Sequence, residues 1–338
     1  MEIKEVIRNV VGFKDLTQEE AFHVATEIMS GNTTDAQIAA FLVSLRLKGE
    51  TIDEITGFAR AMRAKATRIT CDSECLVDTC GTGGDRSGTF NVSTLSGFVA
   101  AGAGCRIAKH GNRSVSSRCG SADLFVELGI KIDISPKIIC RCIDENGIGF
   151  LFAPRLHKAM KYALNPRREI GIRTIFNILG PLTNPANAKR QLLGVFRGDF
   201  TEPLANVLEK LGSEHVLVVH GEDGLDEITL TGKTKVSELC RGTISNYTLD
   251  PELFGLRRVK PEEIKGGEPA LNAKIALDIL RGKKGPQRDL VLLNAGAVIY
   301  VSGEASSIGE GIELAEESID SGRAVGKLEV LRKMTNEN

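Results

Sequence analysis

The sequence predicts an α/β protein in which a small helical unit precedes a larger domain of alternating strands and helices. Two observations carry this. The first seventy residues hold four helical segments, three of them opened by capping boxes. From about residue 71, short apolar runs pass into Gly- or Ser-rich loops and alternate with helical segments, the pattern of an α/β domain. A length of 338 residues suits roughly two domains.

In chain order, Ile3, Val6, Ile7, Val10 and Val11 share one helical face, and Gly12 follows. The pairs Thr17/Glu20, Thr34/Gln37 and Thr51/Glu54 open the next three helices, and Gly31 and Gly49 sit where helices stop. Nothing reactive lies in this unit, so its expected role is packing or subunit contact. Leu76 and Val77 begin a strand, followed by a helix over 93–103, a strand over 106–109 and a helix over 121–128. Ser135 and Pro136 start another helix. A buried strand is expected over 215–221, weaker ones over 228–231 and 243–249, and helices over 269–281, 288–301 and 307–321. Lys265-Gly266-Gly267 reads as linker.

Composition narrows the function. Lys plus Arg number 43 against 44 Asp plus Glu, a net charge of −1, and aromatics are 5% with no Trp. Nucleic-acid binding normally brings a basic surplus or stacking platforms, so none is expected. The start lacks the apolar segment of a signal peptide, and the longest uncharged run, 87–105, is too rich in Gly, Ser and Thr to span a membrane. The eight cysteines form no CxxC or zinc spacing, so reduced thiols and a cytoplasmic location are expected. Glycine is high at 36 residues, which in an enzyme marks backbone that approaches a ligand closely.

Two loops carry the chemistry. In DTCGTGGDRSGTFNVST (78–94), Gly81, Gly83 and Gly84 allow consecutive N–H groups to face one anion, and the following helix N-terminus adds partial positive charge. Asp85 would repel a phosphate; it suits sugar hydroxyls or a metal. The dinucleotide motif fails at Arg86 and the Walker pattern at Thr89, so dehydrogenase and NTPase readings lose support. The second loop, KHGNRSVSSRCGSAD (109–123), concentrates Lys109, Arg113, Arg118 and several serines. Two donor-rich loops imply a ligand with more than one phosphate. Further on, Pro166 is positioned to open a helix with Arg167 and Arg168 in its first turn, where cations oppose the dipole unless an anion pairs with them. After the 215–221 strand come Glu222, Asp223, Asp226 and Glu227, well placed for Mg²⁺.

These blocks in order, with RREIGIRTIFNILGPLTNP (167–185) and HGEDGLDEIT (220–229), resemble the anthranilate phosphoribosyltransferases of tryptophan biosynthesis over nearly the whole chain. The resemblance implies a small helical domain over 1–70 with a helical insertion near 165–185. It also implies a large α/β domain over 71–338, with a central mixed sheet flanked by helices, and a homodimer formed through the small domain. The implied reaction transfers 5-phosphoribose from phosphoribosyl pyrophosphate to the anthranilate nitrogen with Mg²⁺. By motif position the donor would be held by Gly81, Gly84, Asp85, Thr89, Asn91, Val92, Ser93 and Thr94. The second loop would add Lys109, His110, Gly111, Asn112, Arg113, Ser114, Val115, Ser116 and Ser117, with Ser121 nearby. Ser93, Asp226 and Glu227 would serve Mg²⁺. Gly81, Asn112, Arg167, His110 and His157 would border anthranilate. No general base is implied; Lys109 and the metal would stabilise the leaving group. A nucleoside phosphorylase of the same fold needs fewer phosphate donors and leaves Arg167 without a carboxylate. A non-catalytic nucleic-acid binder is opposed by the charge balance and the acidic pair.

Overall fold

The structure is a computed structural model, and it describes residues 2–85, 87–114 and 118–337. The N-terminal unit holds α1 (Ile3–Val11), α2 (Gln18–Ser30), α3 (Asp35–Lys48) and α4 (Ile52–Lys65). All three expected capping boxes form. Glu54 does more than cap: buried, it accepts from Thr51 N at 2.8 Å, Leu16 N at 3.0 Å and Lys48 Nζ at 3.0 Å. A buried carboxylate is tolerated here because each oxygen has donors.

The remainder runs β1 (Leu76–Gly81), α5 (Val92–Gly102), β2 (Arg106–Gly111), α6 (Ser121–Glu127), α7 (Pro136–Asn146), β3 (Ile148–Phe152), α8 (Ala153–Leu156), α9 (Lys161–Ile170) and α10 (Phe176–Leu179). Then come β4 (Arg190–Gly194), α11 (Thr201–Lys210), β5 (His215–Gly221), β6 (Thr234–Cys240) and β7 (Thr243–Leu249). The C-terminal helices are α12 (Pro269–Leu280), α13 (Pro286–Ser302), α14 (Ile308–Asp320) and α15 (Arg323–Asn336).

The strands form one mixed sheet in the order β3-β2-β1-β4-β5-β6-β7, parallel through β5 and antiparallel at β6 and β7. The chain builds outward from β1 to β3, then returns to place β4 on the other side of β1. That reversal opens a crevice at the carboxyl ends of β1 and β4, where α/β sheets bind ligands. Alternate strand residues feed opposite cores. Leu192, Leu217 and Val219 pack with α5 and α13, while Leu193, Val216 and Val218 pack with α11 and share a core with α2–α4. Helices α9 and α10 pack on the N-terminal helices, with Phe176 edge-on to Phe58 at 6.0 Å.

Four local expectations are revised. Residues 228–231 form no strand, because the Asn294 side chain bonds both the N–H (2.9 Å) and the C=O (2.8 Å) of Ile228; the strand is β6 instead. Strands β3 and β4 and helix α15 are additional. Pro166 lies inside α9, so Arg167 and Arg168 occupy its last turn, where they favour the dipole. Lys265 bridges Thr89, and Gly266 N donates to Gly88 O at 2.9 Å, so the expected linker is a clamp on the glycine loop.

Candidate active site

The glycine loop leaves β1 at the crevice and folds over Asp226. Gly83, at φ +67°, donates its N–H to Asp226 Oδ2 at 2.8 Å. Thus the anion that this N–H holds is the protein's own carboxylate. A Cβ on Gly81 would lie 2.5 Å from that Oδ2, so only glycine lets the strand end pass so close. Glu227 accepts from Ser93 N, at the start of α5, at 3.1 Å. Both residues are half-buried. Burial, with Asp85 and then a hydrogen bond from it opposing relief by the Gly83 N–H, pushes Asp226 up to about 7. Burial and then Asp226 push Glu227 up to about 8. Among the described residues neither has an ion-pair partner. An adjacent pair of half-buried carboxylates without a salt-bridge partner among the described residues is a donor set that fits Mg²⁺.

Lys109, on β2, is the buried cation beneath the loop. Its Nζ donates to the Thr79 carbonyl, and to Ser93 Oγ at 3.2 Å. Burial pushes it down, against the pull of Asp78, Cys80 and Glu227. Asp78 is fully buried and organises the floor, accepting from His110 N at 3.0 Å and Asn184 Nδ2 at 2.8 Å. In the second loop, Asn112 Oδ1 accepts from Arg113 N at 2.7 Å, and Ser121 Oγ donates to Asn112 O at 3.3 Å. Asp123 then pairs with Arg113 Nη1 at 2.7 Å and accepts from Ser114 N at 3.2 Å. Gly111 is packed so that a Cβ would meet Ser121 Oγ at 2.3 Å. Val115, Ser116 and Ser117 lie outside the described residues.

The two loops are tied together. Asn91 Nδ2 donates to Cys119 O at 3.0 Å, and its Oδ1 accepts from Asn272 Nδ2 of α12 at 3.1 Å. Thr89 Oγ1 lies 3.0 Å from Ser87 Oγ. Val92 is buried, so only its backbone can reach a ligand; Thr94 Oγ1 is buried without a hydrogen-bond partner among the described residues.

On the wall formed by α8–α10, the His110 and His157 rings lie 5.1 Å apart. His110 Nδ1 is 3.2 Å from Gly180 O, so Nδ1 carries the proton and Nε2 offers a lone pair. The Nε2 atoms of both histidines are buried without partners among the described residues. Burial depresses His110 to about 3, helped by His157, and His157 to about 4. Both fold as neutral rings. Each therefore contributes stability that is complete above the ordinary histidine value of about 6.5 and is lost as pH falls toward those values. Stability should fall between pH 6.5 and 4 by up to about 1.4 kcal/mol per pH unit for each histidine. Urea unfolding of His157→Gln should show a shallower acid slope; a slope equal to wild type refutes the assignment.

Arg167 stacks over Phe176, 5.1 Å from its centroid, and burial lowers its pKa. Arg173 stacks over Phe196 at 4.1 Å and donates to the Gly84 carbonyl, closing the glycine loop from the α9–α10 side. Thr79, Asn184, Asn272 and Gly194 were not among the expected site residues. Only the GPLTNP run hinted at Asn184; the others act through contacts with no local signature.

A model described as glycosyl transferase family, a/b domain, matches residues 73–325, and one for the helical bundle domain of the same family matches 4–66. The chain is 54% identical to the anthranilate phosphoribosyltransferase of Moorella thermoacetica over 97% of each chain. It is 52% identical to that of Alkaliphilus metalliredigens over 99% of each. The solved anthranilate phosphoribosyltransferase of Thermus thermophilus superposes with TM-score 0.93 at 43% identity, over 98% of this chain and 99% of that one. The Saccharomyces cerevisiae enzyme, solved in complex with PRPP and Mg, gives 0.91 at 28% identity over 99% of this chain and 98% of that one.

Proposed function

Because the chain belongs to the family of anthranilate phosphoribosyltransferases, we propose that the crevice between β1 and β4 is its phosphoribosyl-transfer site. The enzyme transfers 5-phosphoribose from phosphoribosyl pyrophosphate to the amino group of anthranilate, releasing pyrophosphate, in tryptophan biosynthesis. The observation that carries the site assignment is the adjacent pair Asp226 and Glu227, held behind the glycine loop by Gly83 N and Ser93 N.

Asp226, Glu227 and the Ser93 hydroxyl would hold Mg²⁺, which when bound offsets the charge of the diphosphate. The donor would lie along Gly81, Gly84, Asp85, Thr89, Asn91 and the backbone from Val92 to Thr94, and along the second loop from Lys109 to Ser117, with Ser121. Asp85 would face the ribose hydroxyls. Lys109 brings a buried positive charge to the leaving side, where it counts more than in water. Anthranilate would meet Gly81, Asn112 and Arg167. The lone pairs of His110 and His157 would accept from its amine, orienting the nitrogen. The amine is neutral, so positioning matters more than deprotonation.

The eight thiols without disulfides fit a cytoplasmic location. No described helix is long and apolar enough to cross a membrane, and the balanced charge argues against a nucleic-acid partner. A homodimer through the helical unit of 1–70, with 161–182 packed on it and the rest forming the α/β domain, is supported by exposed Val11, Phe13 and Leu47 near the contacting helices α1 and α3.

Mixing protein, Mg²⁺, phosphoribosyl pyrophosphate and anthranilate should quench anthranilate fluorescence, and a chelator should stop it. Persistent fluorescence together with turnover of a nucleoside and phosphate overturns the reading. Arg167→Ala and Arg167→Lys should each raise the anthranilate KM, the former by roughly thirtyfold, because a desolvated carboxylate pair costs about 2 kcal/mol or more to break and Lys cannot grip both oxygens. The donor KM should hold. A normal anthranilate KM in Arg167→Ala sinks the assignment.

A further inference from the structure

Away from the crevice, two thiols meet. Cys71 lies in the connection between α4 and β1, Cys140 lies in α7, and their sulfur atoms are 3.1 Å apart. We propose that Cys71 and Cys140 form a reversible disulfide, a redox modification site that pins the connection between the helical unit and the sheet to α7.

The pair is already held in register by its neighbours. Cys140 Sγ donates to the Thr70 carbonyl at 3.0 Å. One turn further along α7, Asp144 accepts from Asp72 N at 3.3 Å, Ser73 N at 2.9 Å and Ser73 Oγ at 2.5 Å. The connection therefore lies along the helix on both sides of Cys71, and the sulfurs need to close by only about 1 Å to reach a bond length of about 2.05 Å. Both thiols are half-buried, not sealed. Cys71 also lines an open cleft with Arg68, Thr70 and Ser73, wide enough for a small oxidant. The cleft reaches Leu76 and Arg190, the first residues of β1 and β4, so it lies at the opposite end of the sheet from the glycine loop.

The oxidant is a small disulfide of the glutathione class. One protein thiolate attacks it, forming a mixed disulfide and expelling one glutathione thiolate. The second protein thiol gives its proton to solvent and attacks the protein sulfur of that mixed disulfide, and the second glutathione leaves. Two electrons pass from the protein to the external disulfide, which becomes two thiols. Burial, and then Cys140 and Asp144 beside it, push the Cys71 thiol up, so the exchange quickens as pH rises.

The test equilibrates the full chain in glutathione redox buffers, alkylates it, digests it and maps the peptides by mass spectrometry. Cys75, exposed and on the same connection, reports simple accessibility. The expected product is a peptide joining 71 to 140, lighter by two hydrogens, present at about tenfold the Cys75 glutathione adduct because closure is intramolecular. Dithiothreitol should remove it, and Cys140→Ser should never form it. Both thiols still alkylated in wild type where Cys75 is already modified, or a Cys71–Cys75 link instead, overturns the proposal.

Discussion

With Asp226→Asn and Glu227→Gln combined, the enzyme should remain folded while turnover drops by roughly a thousandfold, about 4 kcal/mol of lost stabilisation of the leaving diphosphate. The amide oxygens can still accept from Gly83 N and Ser93 N, so the loop keeps its tethers. Two mutually repelling carboxylates are also removed, so the melting temperature should not fall. Mg²⁺ should stabilise wild type against heat and leave the double variant unchanged. Wild-type turnover in the variant would take the metal role away from this pair.

Gly194→Ala should be nearly as damaging, although Gly194 makes no polar contact with substrate in this reading. Its Cβ would lie 1.6 Å from the Asp226 carbonyl oxygen and 2.4 Å from its carbonyl carbon. Both are backbone atoms, so no rotamer change relieves the overlap, and the turn carrying the acidic pair must move. A displacement near 1 Å at reacting groups costs on the order of a hundredfold in rate, and overpacking adds about 1–3 kcal/mol of destabilisation. The Mg²⁺ concentration for half-maximal rate should rise as well. Gly326→Ala, where nothing lies within 4 Å, is the control and should behave as wild type. Equal activity in both variants would show that the β4–Asp226 contact does not position the site.

The features legible in the sequence were those written locally. Capping boxes at Thr17, Thr34 and Thr51 fix their own hydrogen bonds within four residues, so they read correctly. The glycine and serine loops announced themselves by composition, and the acidic pair by its place after a buried strand. Strands β3 (IGFLF) and β4 (RQLLG) are not legible, because a short apolar run buried on both faces has no alternation to separate it from helix. The β6–β7 hairpin turns on Arg241 and Gly242, both at positive φ, and Arg at such a position lacks the usual Asn-Gly or Asp-Gly signature. In the sequence Pro166 reads as a helix start, which would put Arg167 at an unfavourable helix end. The helix begins at Lys161, since packing of α9 on α2 and α3 outweighs the lost hydrogen bond. Asn272 reaches the site across a long separation that no local pattern records.

The glycine loop borrows its organisation from chain made much later. Gly83 is tethered by Asp226, 143 residues downstream, and Asn91 by Asn272, 181 residues downstream. At ribosomal speeds of about 5–20 residues per second, the loop waits roughly 7–30 s for Asp226 to be synthesised. During that interval the nascent chain carries β1 and the loop without the carboxylate that tethers it, so a truncated translation product ending before β5 lacks the partners of both Gly83 N and Ser93 N. Ordering of the loop is thus tied to synthesis of the chain through α12, and a half-made chain carries the loop without either tether.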